Sequence, residues 1–353
     1  MKIVFAIPAM GFGGAERVVS VLSNEFVQKG HEVSIALLSG NDNCAYTLDK
    51  RVELTPICTD GGILKTWSRF RKTCKDKKAD VVIAFMTSVG IMSSLFLAAT
   101  GIPVITSERC DPYAKDMALN FKFKVLSLVS PLFTAGYVFQ SEGAKGYYSK
   151  YIQKKSCVIL NPLNTDQLPQ REEGKIDERI VSVGRLHSQK NHKMLIQAFA
   201  NSKAKEKHTL HIYGDGELKK ELHDLIVSLN MSDKIILEGN SRQVHEDIKN
   251  AKLFAFTSDY EGLPNALMEA MAIGVPCVST DCSPGGARML IENNENGILI
   301  PCGDTAALTA VFDELPEDEE KLKKFSANGQ KLRESVCVEM IANRWLKCIE
   351  QII

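Results

Sequence analysis

Short apolar runs alternate with longer segments of helical periodicity along the front half of the chain. The pattern predicts strands over residues 3–7 and 32–38, and a helix over 16–29 that ends at Gly30. This order of strand, helix and strand is typical of a doubly wound sheet of parallel strands. The front half is therefore predicted to be a Rossmann-like α/β domain.

The same alternation starts again in the back half of the chain. Strands are predicted over 179–183, 209–213, 235–237, 253–256 and 276–279, with helices over 193–200 and 265–273. The polar stretch from Asn161 to Gly174, which contains Pro and Gly, marks the boundary between the two halves.

We predict two Rossmann-like domains, 1–165 and 170–335, facing each other across a cleft, with a helix at 336–353 that can pack back onto the first domain. In open α/β sheets, ligands bind beyond the carboxyl ends of the strands. The chemistry is therefore expected in that cleft.

Residues 81–106 contain no charged side chain and are long enough to cross a bilayer. Gly90, Gly101 and Pro103 interrupt this stretch. We therefore favour a buried strand at 81–85, a helix at 91–99 and a strand at 103–105 over a membrane helix.

Composition adds a charge asymmetry. The 353 residues carry 43 basic and 43 acidic side chains, but residues 1–160 hold 20 basic and 13 acidic ones, so the front half is positive and the back half negative. One half could face an anionic partner, or the charges could be scattered by chance over two surfaces. No nucleic-acid partner is predicted.

The ten cysteines are widely scattered, with no Cys-x-x-Cys motif and no zinc spacing. They are expected to be reduced thiols of a cytosolic protein. The chain runs from Met1 directly into the first predicted strand, so no signal peptide is predicted.

Three loops that follow predicted strands carry candidate chemistry. Gly11, Gly13 and Gly14 open the first helix without the Gly-x-Gly-x-x-Gly spacing, which leaves a packing turn and a ligand loop equally open. Arg185 and Lys190 lie on one loop that leads into a helix, where two cations suit a diphosphate.

The third loop holds Glu261, and Glu269 follows in the next helix, one turn beyond Asn265 and on the same side. Buried carboxylates need partners, and the hydroxyl groups of a sugar or a ribose are good donors for them. Composition alone would favour two ordinary glutamates.

The spacing of Glu261 and Glu269 resembles the Glu-x7-Glu signature of family 4 glycosyltransferases, which are retaining enzymes of GT-B fold. The ordered set of motifs is most similar to bacterial enzymes that build lipid-linked oligosaccharides or capsular and exopolysaccharides, such as the GalNAc transferases of bacterial N-glycosylation. The motifs, in chain order, are Gly13-Gly14-Ala15-Glu16, Ser107-Glu108-Arg109, Gly184-Arg185-Leu186 with Lys190-Asn191, Gly214-Asp215-Gly216, Glu261-Gly262-Leu263-Pro264, Glu269-Ala270-Met271 and Gly274-Val275-Pro276.

The resemblance implies a role for each matching residue. Arg185 and Lys190 would bind the donor diphosphate, Glu269 the ribose hydroxyls and Glu261 the hydroxyls of the transferred sugar. The remaining donor contacts implied by the resemblance are the backbone N–H groups of Gly262, Leu263 and Asn265, with Pro264 lacking such a group, the front-domain glycines Gly13 and Gly14, and the pocket residues Asp215 and Gly216.

Arg109 stands where relatives often have a histidine close to the sugar, so the role of that histidine does not transfer. Arg109 is instead expected to contact the sugar or the leaving phosphate. The chain contains no Asp-x-Asp motif, which metal-dependent transferases use to hold Mg or Mn. We therefore predict a metal-independent hexosyltransferase with no cofactor. The resemblance implies retention by front-face displacement, in which the leaving phosphate oxygen takes the acceptor proton.

The predicted substrates are a nucleotide sugar, preferably a UDP-sugar, and a lipid-linked or oligosaccharide acceptor. Segments 65–78 and 113–133 combine lysines and arginines with aromatic or apolar residues, which suits peripheral binding to the inner face of the cell membrane. Solvated helix faces explain these two segments equally well. A sugar-nucleotide epimerase, a phosphorylase and a non-catalytic sugar-nucleotide sensor are the alternatives.

Overall fold

The structure is a computed structural model that describes residues 1–39, 43–58, 62–113, 121–172 and 174–353. The chain divides into two compact units. Unit 1 comprises residues 1–162 together with 336–353, and unit 2 comprises residues 163–335. The C-terminal segment therefore belongs to the unit that contains the start of the chain.

Unit 1 is built on a seven-stranded parallel sheet with the order β3-β2-β1-β4-β5-β6-β7. Its strands are β1 (Lys2–Ile7), β2 (Glu32–Leu37), β3 (Glu53–Pro56), β4 (Val81–Phe85), β5 (Val104–Ser107), β6 (Gly136–Phe139) and β7 (Ser156–Val158). Its helices are α1 (Gly14–Gln28), α2 (Gly62–Asp76), α3 (Thr87–Leu97), α4 (Phe121–Val129), α5 (Glu142–Tyr147), α6 (Lys150–Lys154) and α14 (Val338–Ile352).

The strands of unit 1 are apolar on both sides because helices cover both faces of the sheet. On one face α1 and α14 pack against β1, β4 and β5, with Phe26 and Trp345 in the same apolar cluster as Phe5 and Phe85. The opposite face carries α2 and α3, where Trp67 joins a separate cluster. The helices thus form two layers, one on each face of the sheet, which matches the doubly wound fold predicted from the sequence.

The uncharged stretch 81–106 forms β4, α3 and most of β5, as predicted, although the helix begins four residues earlier than expected. None of the helices in the described residues has the length and apolar character needed to span a bilayer. The two strands of this stretch lack charged side chains because they lie inside a parallel sheet that helices cover on both faces.

The expectation that all cysteines are reduced thiols was wrong for one pair. Cys157 in β7 and Cys348 in α14 form a disulfide, with their Cα atoms 6.6 Å apart. The two residues are 191 positions apart in the sequence. No local spacing pattern could have revealed this pairing, because only the docking of α14 against the sheet brings the sulfurs together.

Unit 2 contains a six-stranded parallel sheet with the order β10-β9-β8-β11-β12-β13. Its strands are β8 (Arg179–Val183), β9 (Thr209–Tyr213), β10 (Ile235–Gly239), β11 (Leu253–Phe256), β12 (Cys277–Thr280) and β13 (Ile298–Ile300). Its helices are α7 (His192–Asn201), α8 (Lys219–Ser228), α9 (Val244–Ile248), α10 (Asn265–Ile273), α11 (Thr305–Glu314), α12 (Glu319–Gln330) and α13 (Leu332–Val336, whose last residue falls in unit 1).

The strand order of unit 2 reverses between β8 and β11. The second and third strands of the unit lie on one side of β8, and the fourth to sixth lie on the other side. Such a reversal makes the two loops that follow β8 and β11 diverge, and ligands of α/β sheets bind in the crevice between them. The loops 184–191 and 257–264 are therefore the expected location of a ligand site in unit 2.

Candidate active site

Lys190 and Glu261 meet at the carboxyl ends of β8 and β11. The Lys190 ammonium forms an ion pair with the Glu261 carboxylate, although 71 positions separate the two residues. Their side chains are only 20% and 13% exposed. The Ser258 hydroxyl donates to the same carboxylate oxygen at 3.2 Å. The ammonium also lies 5.2 Å from the centre of the Phe256 ring. The two charges thus neutralise each other in a site with little water.

The loop after β8 is fixed to the loop after β11 by several further hydrogen bonds. The Gln189 side chain donates to the carbonyl of Tyr260, and the Asn191 side chain donates to the carboxylate of Asp259, both at 2.8 Å. Asn191 also caps α7 by accepting from the backbone N–H of Met194. These bonds hold Lys190 in place at the start of a helix, where an anion is favoured.

Arg185 lies on the same loop, but its side chain is exposed. Its guanidinium makes no hydrogen bond or ion pair with any other described residue. A guanidinium offers five N–H donors in a planar fork that matches two phosphate oxygens. Arg185 is therefore a cation available to a ligand, whereas Lys190 already has a carboxylate partner.

The loop 214–216 packs against the backbone of the loop after β8. The backbone N–H of Leu186 donates to the carbonyl of Asp215 at 3.0 Å. Gly214 has a φ of +137°, and a Cβ there would lie 2.9 Å from the carbonyl carbon of Gly184. A Cβ at Gly216 would lie 2.9 Å from the backbone nitrogen of Leu186. The two glycines are needed for this close approach of backbones.

The segment from Gly262 to Pro264 leads into α10. Leu263 and Pro264 are buried, and the N–H groups of Gly262 and Leu263 have no hydrogen-bond acceptor in the described part of the protein. Met268 is the first helix residue that donates back to Pro264. Free backbone N–H groups at a helix N-terminus are good partners for anions and hydroxyl oxygens.

Glu269 lies in the middle of α10 and is 8% exposed. Its carboxylate lies 3.0 Å from the imidazole Nε2 of His245, which α9 supplies. The sequence analysis did not single out His245. A histidine in a short polar helix does not by itself indicate a binding site. Its contact with Glu269 depends on the packing of α9 against α10, which the sequence pattern does not show.

The sequence analysis also missed Ser258, which hydrogen bonds to Glu261, and Asp259, which accepts from Asn191. Both follow β11 directly, so their position beyond the carboxyl end of a strand could have marked them. No group of three or more His, Cys, Asp or Glu side chains in the described ranges is arranged to hold a metal ion. The metal independence of the enzyme stays a prediction.

Two of the remaining sequence-predicted site residues, Gly13 and Gly14, are in unit 1. Gly13 follows β1, and its carbonyl accepts from the Tyr46 hydroxyl at 2.9 Å and from the Arg17 N–H at 3.0 Å. Gly14 is the first residue of α1. The strand order of unit 1 reverses between β1 and β4, so this loop also lies at a position that suits a ligand.

Arg109 follows β5 and is packed inside unit 1. Its guanidinium carbon lies 4.6 Å from the centre of the Phe85 ring and 5.5 Å from that of Trp345. One of its nitrogens donates to Asn161 at 2.8 Å, whereas Nε and the other terminal nitrogen are buried without a partner in the described structure. Burial lowers the pKa of Arg109 to about 9, which the neighbouring Glu108 partly opposes.

Two family models match successive parts of this chain. Residues 12–167 match the model of glycosyltransferase family 4, and residues 165–332 match that of the group 1 glycosyl transferases. An N-acetylgalactosamine-N,N'-diacetylbacillosaminyl-diphospho-undecaprenol 4-alpha-N-acetylgalactosaminyltransferase of Campylobacter jejuni is 30% identical, with 94% of each chain covered. The chain belongs to glycosyltransferase family 4. The enzyme class expected from the ordered motifs is confirmed.

Two further relatives extend this likeness. A second glycosyltransferase of Campylobacter jejuni, named as a GalNAc-alpha-(1->4)-GalNAc-alpha-(1->3)-diNAcBac-PP-undecaprenol alpha-1,4-N-acetyl-D-galactosaminyltransferase, is 29% identical over all of this chain and 99% of its own. The crystal structure of HepE from Anabaena in complex with UDP superimposes with a TM-score of 0.84 at 18% identity, covering 99% of this chain and 100% of HepE. The GT-B fold expected from the sequence is thereby confirmed.

Proposed function

We propose that this glycosyltransferase moves a hexose or N-acetylhexosamine from a nucleotide sugar, preferably a UDP-sugar, onto a lipid-linked glycan, in glycan or polysaccharide biosynthesis. The observation that carries the proposal is the ion pair of Lys190 with Glu261 at the reversal point of the unit 2 sheet, with Arg185 exposed on the same loop as Lys190. The printed names of the two Campylobacter relatives, which act on undecaprenol-linked saccharides, support the acceptor class. UDP in the HepE crystal structure supports the nucleotide.

Unit 2 is the proposed donor domain. Arg185 and Lys190 bind the diphosphate, and the free N–H groups of Gly262 and Leu263 add two donors at the start of α10. An arriving diphosphate competes with Glu261 for the Lys190 ammonium. The Glu261 carboxylate is then free to accept hydrogen bonds from the hydroxyl groups of the sugar. The ion pair thus holds Lys190 near the diphosphate position and Glu261 near the sugar position.

Glu269 is the proposed ribose ligand, oriented by the imidazole of His245. Asp215 and Gly216 line the proposed pocket beside the loop after β8, where they fix Leu186. Gly13, Gly14 and Arg109 belong to unit 1, the proposed acceptor domain, and their contacts with the donor rest on the family resemblance.

The proposed reaction retains the configuration at the anomeric carbon. The bond from this carbon to the diphosphate oxygen breaks, and the acceptor oxygen bonds to the same face of the sugar. The acceptor proton passes to the leaving phosphate oxygen. Negative charge grows on the diphosphate during the step. Preorganised cations therefore stabilise the transition state more than they stabilise the ground state. Catalysis then needs neither a metal ion nor an enzymatic nucleophile.

The proposed location is the cytoplasm, with reversible binding to the inner face of the cell membrane. Helix α4 supports this proposal because it is apolar on two sides. Phe123 and Leu126 pack toward the unit 1 core, whereas Val125, Leu128 and Val129 point outward and are exposed. Outward apolar side chains that no core contact explains are typical of a surface that contacts membrane or ligand.

The decisive experiment measures UDP release from UDP-hexoses and UDP-N-acetylhexosamines, with and without a synthetic polyprenyl-diphosphate N-acetylhexosaminide, in excess EDTA. We expect release that rises with the acceptor, and a product with the donor's anomeric configuration by NMR. A product of inverted configuration would contradict the retaining mechanism. Activity that disappears in EDTA and returns with Mn²⁺ or Mg²⁺ would contradict the metal-independent mechanism.

A further inference from the structure

Unit 1 contains a cavity of about 410 Å³ on the sheet face that also carries α3, α5 and α6. Its lining includes Thr106 of β5, Tyr137 of β6, Ile91 of α3 and Ile152 of α6. Protein interiors are packed almost without voids, and a space of this size is typical of a ligand pocket. None of its lining residues belongs to the proposed donor site.

The cavity lies where two apolar clusters of the same face fail to meet. One cluster surrounds Met92 and Val104, and the other surrounds Phe139 and Ile152. Both polar and apolar side chains border the cavity between them: Thr87, Thr106 and Glu108 are polar, whereas Leu128 and Leu132 are apolar. An apolar core that merely packed poorly would not place hydroxyl and carboxyl groups at the gap.

Glu108 is the charged residue of this lining and is only 3% exposed. Its carboxylate accepts from the Thr87 hydroxyl at 2.6 Å and from the Tyr148 hydroxyl at 2.9 Å. Its other oxygen accepts from the backbone N–H of Arg109 at 3.2 Å, and no ion pair joins the carboxylate to a basic side chain of the described residues. Burial raises the pKa of Glu108, and these hydrogen bonds partly oppose the shift.

Four tyrosines supply most of the aromatic surface of the cavity: Tyr137, Tyr147, Tyr148 and Tyr151. Tyr147 and Tyr151 are 51% and 53% exposed, so their rings stand at the entrance. Tyrosine presents an apolar face and a polar edge, and the hydroxyls of Ser127, Ser130 and Ser149 add further hydrogen-bonding groups. A pyranose ring has the matching surface, with C–H groups on its face and hydroxyls around its edge.

We propose that this cavity binds one hexopyranose ring of the glycan acceptor, with Glu108 hydrogen bonding to its hydroxyl groups. The inference rests on the proposed function and names the acceptor subsite in unit 1. An anionic ligand fits poorly, because the lining includes a carboxyl group and no lysine or arginine. An isoprenoid chain fits poorly as well, because it has no group that could hydrogen bond to the hydroxyl groups of the lining.

The test uses saturation-transfer NMR with the methyl glycosides of GalNAc, GlcNAc, galactose and glucose, in the presence of UDP. The full-length wild type is compared with Ser149→Trp, which fills the exposed end of the cavity, and with Glu108→Gln. Ser68→Trp is the matched control, because Ser68 is an exposed serine of α2 outside the cavity. Tyr147→Ala, at a half-exposed position, serves if Ser149→Trp does not fold.

We expect at least one glycoside to bind the wild type and the Ser68→Trp control, and no binding to Ser149→Trp. Glu108→Gln should weaken binding about 10-fold, the usual effect of losing one hydrogen bond to a charged group. UDP affinity and acceptor-free UDP release should match the wild type in Ser149→Trp and in the Ser68→Trp control. Glycoside binding that survives Ser149→Trp, or wild type that binds farnesol and no glycoside, would overturn the inference. Absence of UDP release from any donor in the wild type would instead contradict the proposed function.

Discussion

At the scale of single residues, the ion pair between Lys190 and Glu261 joins two roles that the sequence assigned separately. Lys190 was predicted to bind diphosphate and Glu261 to bind sugar, and the structure pairs them before either ligand is present. A buried charge without a partner is costly, and each of these two residues supplies the other with a counter-charge. Arg185 has no such partner and is exposed.

This difference predicts different consequences for Arg185→Ala and Lys190→Ala. Both should lower kcat by on the order of 100-fold or more, because each removes a preorganised donor from the leaving diphosphate. Lys190→Ala should also lower the thermal unfolding midpoint, since Glu261 is left buried without a counter-charge. Arg185→Ala should leave that midpoint unchanged. Steady-state kinetics at saturating donor and thermal denaturation measure the two effects.

Lys193→Ala is the matched control, because Lys193 is an exposed lysine of α7 close to the site and is expected to leave both quantities unchanged. Near wild-type turnover in both Arg185→Ala and Lys190→Ala would remove the proposed diphosphate site. Equal thermal midpoints for Lys190→Ala and the wild type would show that the ion pair does not stabilise the ligand-free enzyme.

At the scale of secondary-structure elements, α14 contributes to unit 1 although it is the last helix of the chain. Trp345 is fully buried, and its ring stacks on Phe85 with centroids 6.2 Å apart. Ile341 and Ile349, also buried, lie in the same apolar cluster. A disulfide from Cys348 to Cys157 further links the helix to β7. The core of unit 1 is therefore completed by a helix that follows unit 2 in the sequence.

Trp345→Ala is expected to destabilise unit 1 by about 3–5 kcal/mol, the usual cost of truncating a buried tryptophan. Differential scanning calorimetry should show a lower transition for unit 1, while the transition raised by added UDP, assigned to unit 2, keeps its midpoint. Trp345→Phe retains part of the ring packing and should show a smaller loss. Lys347→Ala, on the exposed side of the same helix, is the control. Unchanged calorimetry for Trp345→Ala would mean that α14 does not stabilise unit 1.

At the scale of the whole molecule, the positive charge of the front half is concentrated where apolar residues are also exposed. Lys65, Arg69 and Lys75 lie on the exposed side of α2, and Lys124 is exposed on α4. Lys72 and Lys77 are less available because they form ion pairs with Asp76 and Glu53. Helices α2 and α4 pack over the same face of the sheet. Lys115 of the predicted membrane segment lies outside the described residues.

We therefore expect the enzyme to co-sediment with anionic vesicles at low salt and to be released as salt rises, because salt screens exposed charges. Each basic residue near such a surface contributes about 1 kcal/mol, so replacing Lys65, Arg69 and Lys75 together by Gln should weaken binding by on the order of 100-fold. Replacing Lys203, Lys220 and Lys323 of unit 2 by Gln removes the same charge and should have little effect. Indifference of the wild type to anionic vesicles at low salt would favour a soluble acceptor.

The sequence by itself determined the class of fold and the loops that carry chemistry. The predicted strands at 179–183, 209–213 and 253–256 and the helix at 265–273 coincide with β8, β9, β11 and α10. Parallel strands that are buried on both faces have short continuous apolar sequences. Their positions can therefore be predicted from the local sequence alone. The candidate site residues could be predicted from these strand positions, because ligands of such sheets bind beyond the carboxyl ends of the strands.

Only the tertiary structure decided which of these residues are partners. The contacts of Lys190 with Glu261, of His245 with Glu269 and of Cys157 with Cys348 join positions far apart in the chain. The cavity beside Glu108 is likewise lined by residues of two strands, β5 and β6, and four helices, α3 to α6. Periodicity specifies which face of an element is buried, but strand order and helix packing determine which side chains meet there.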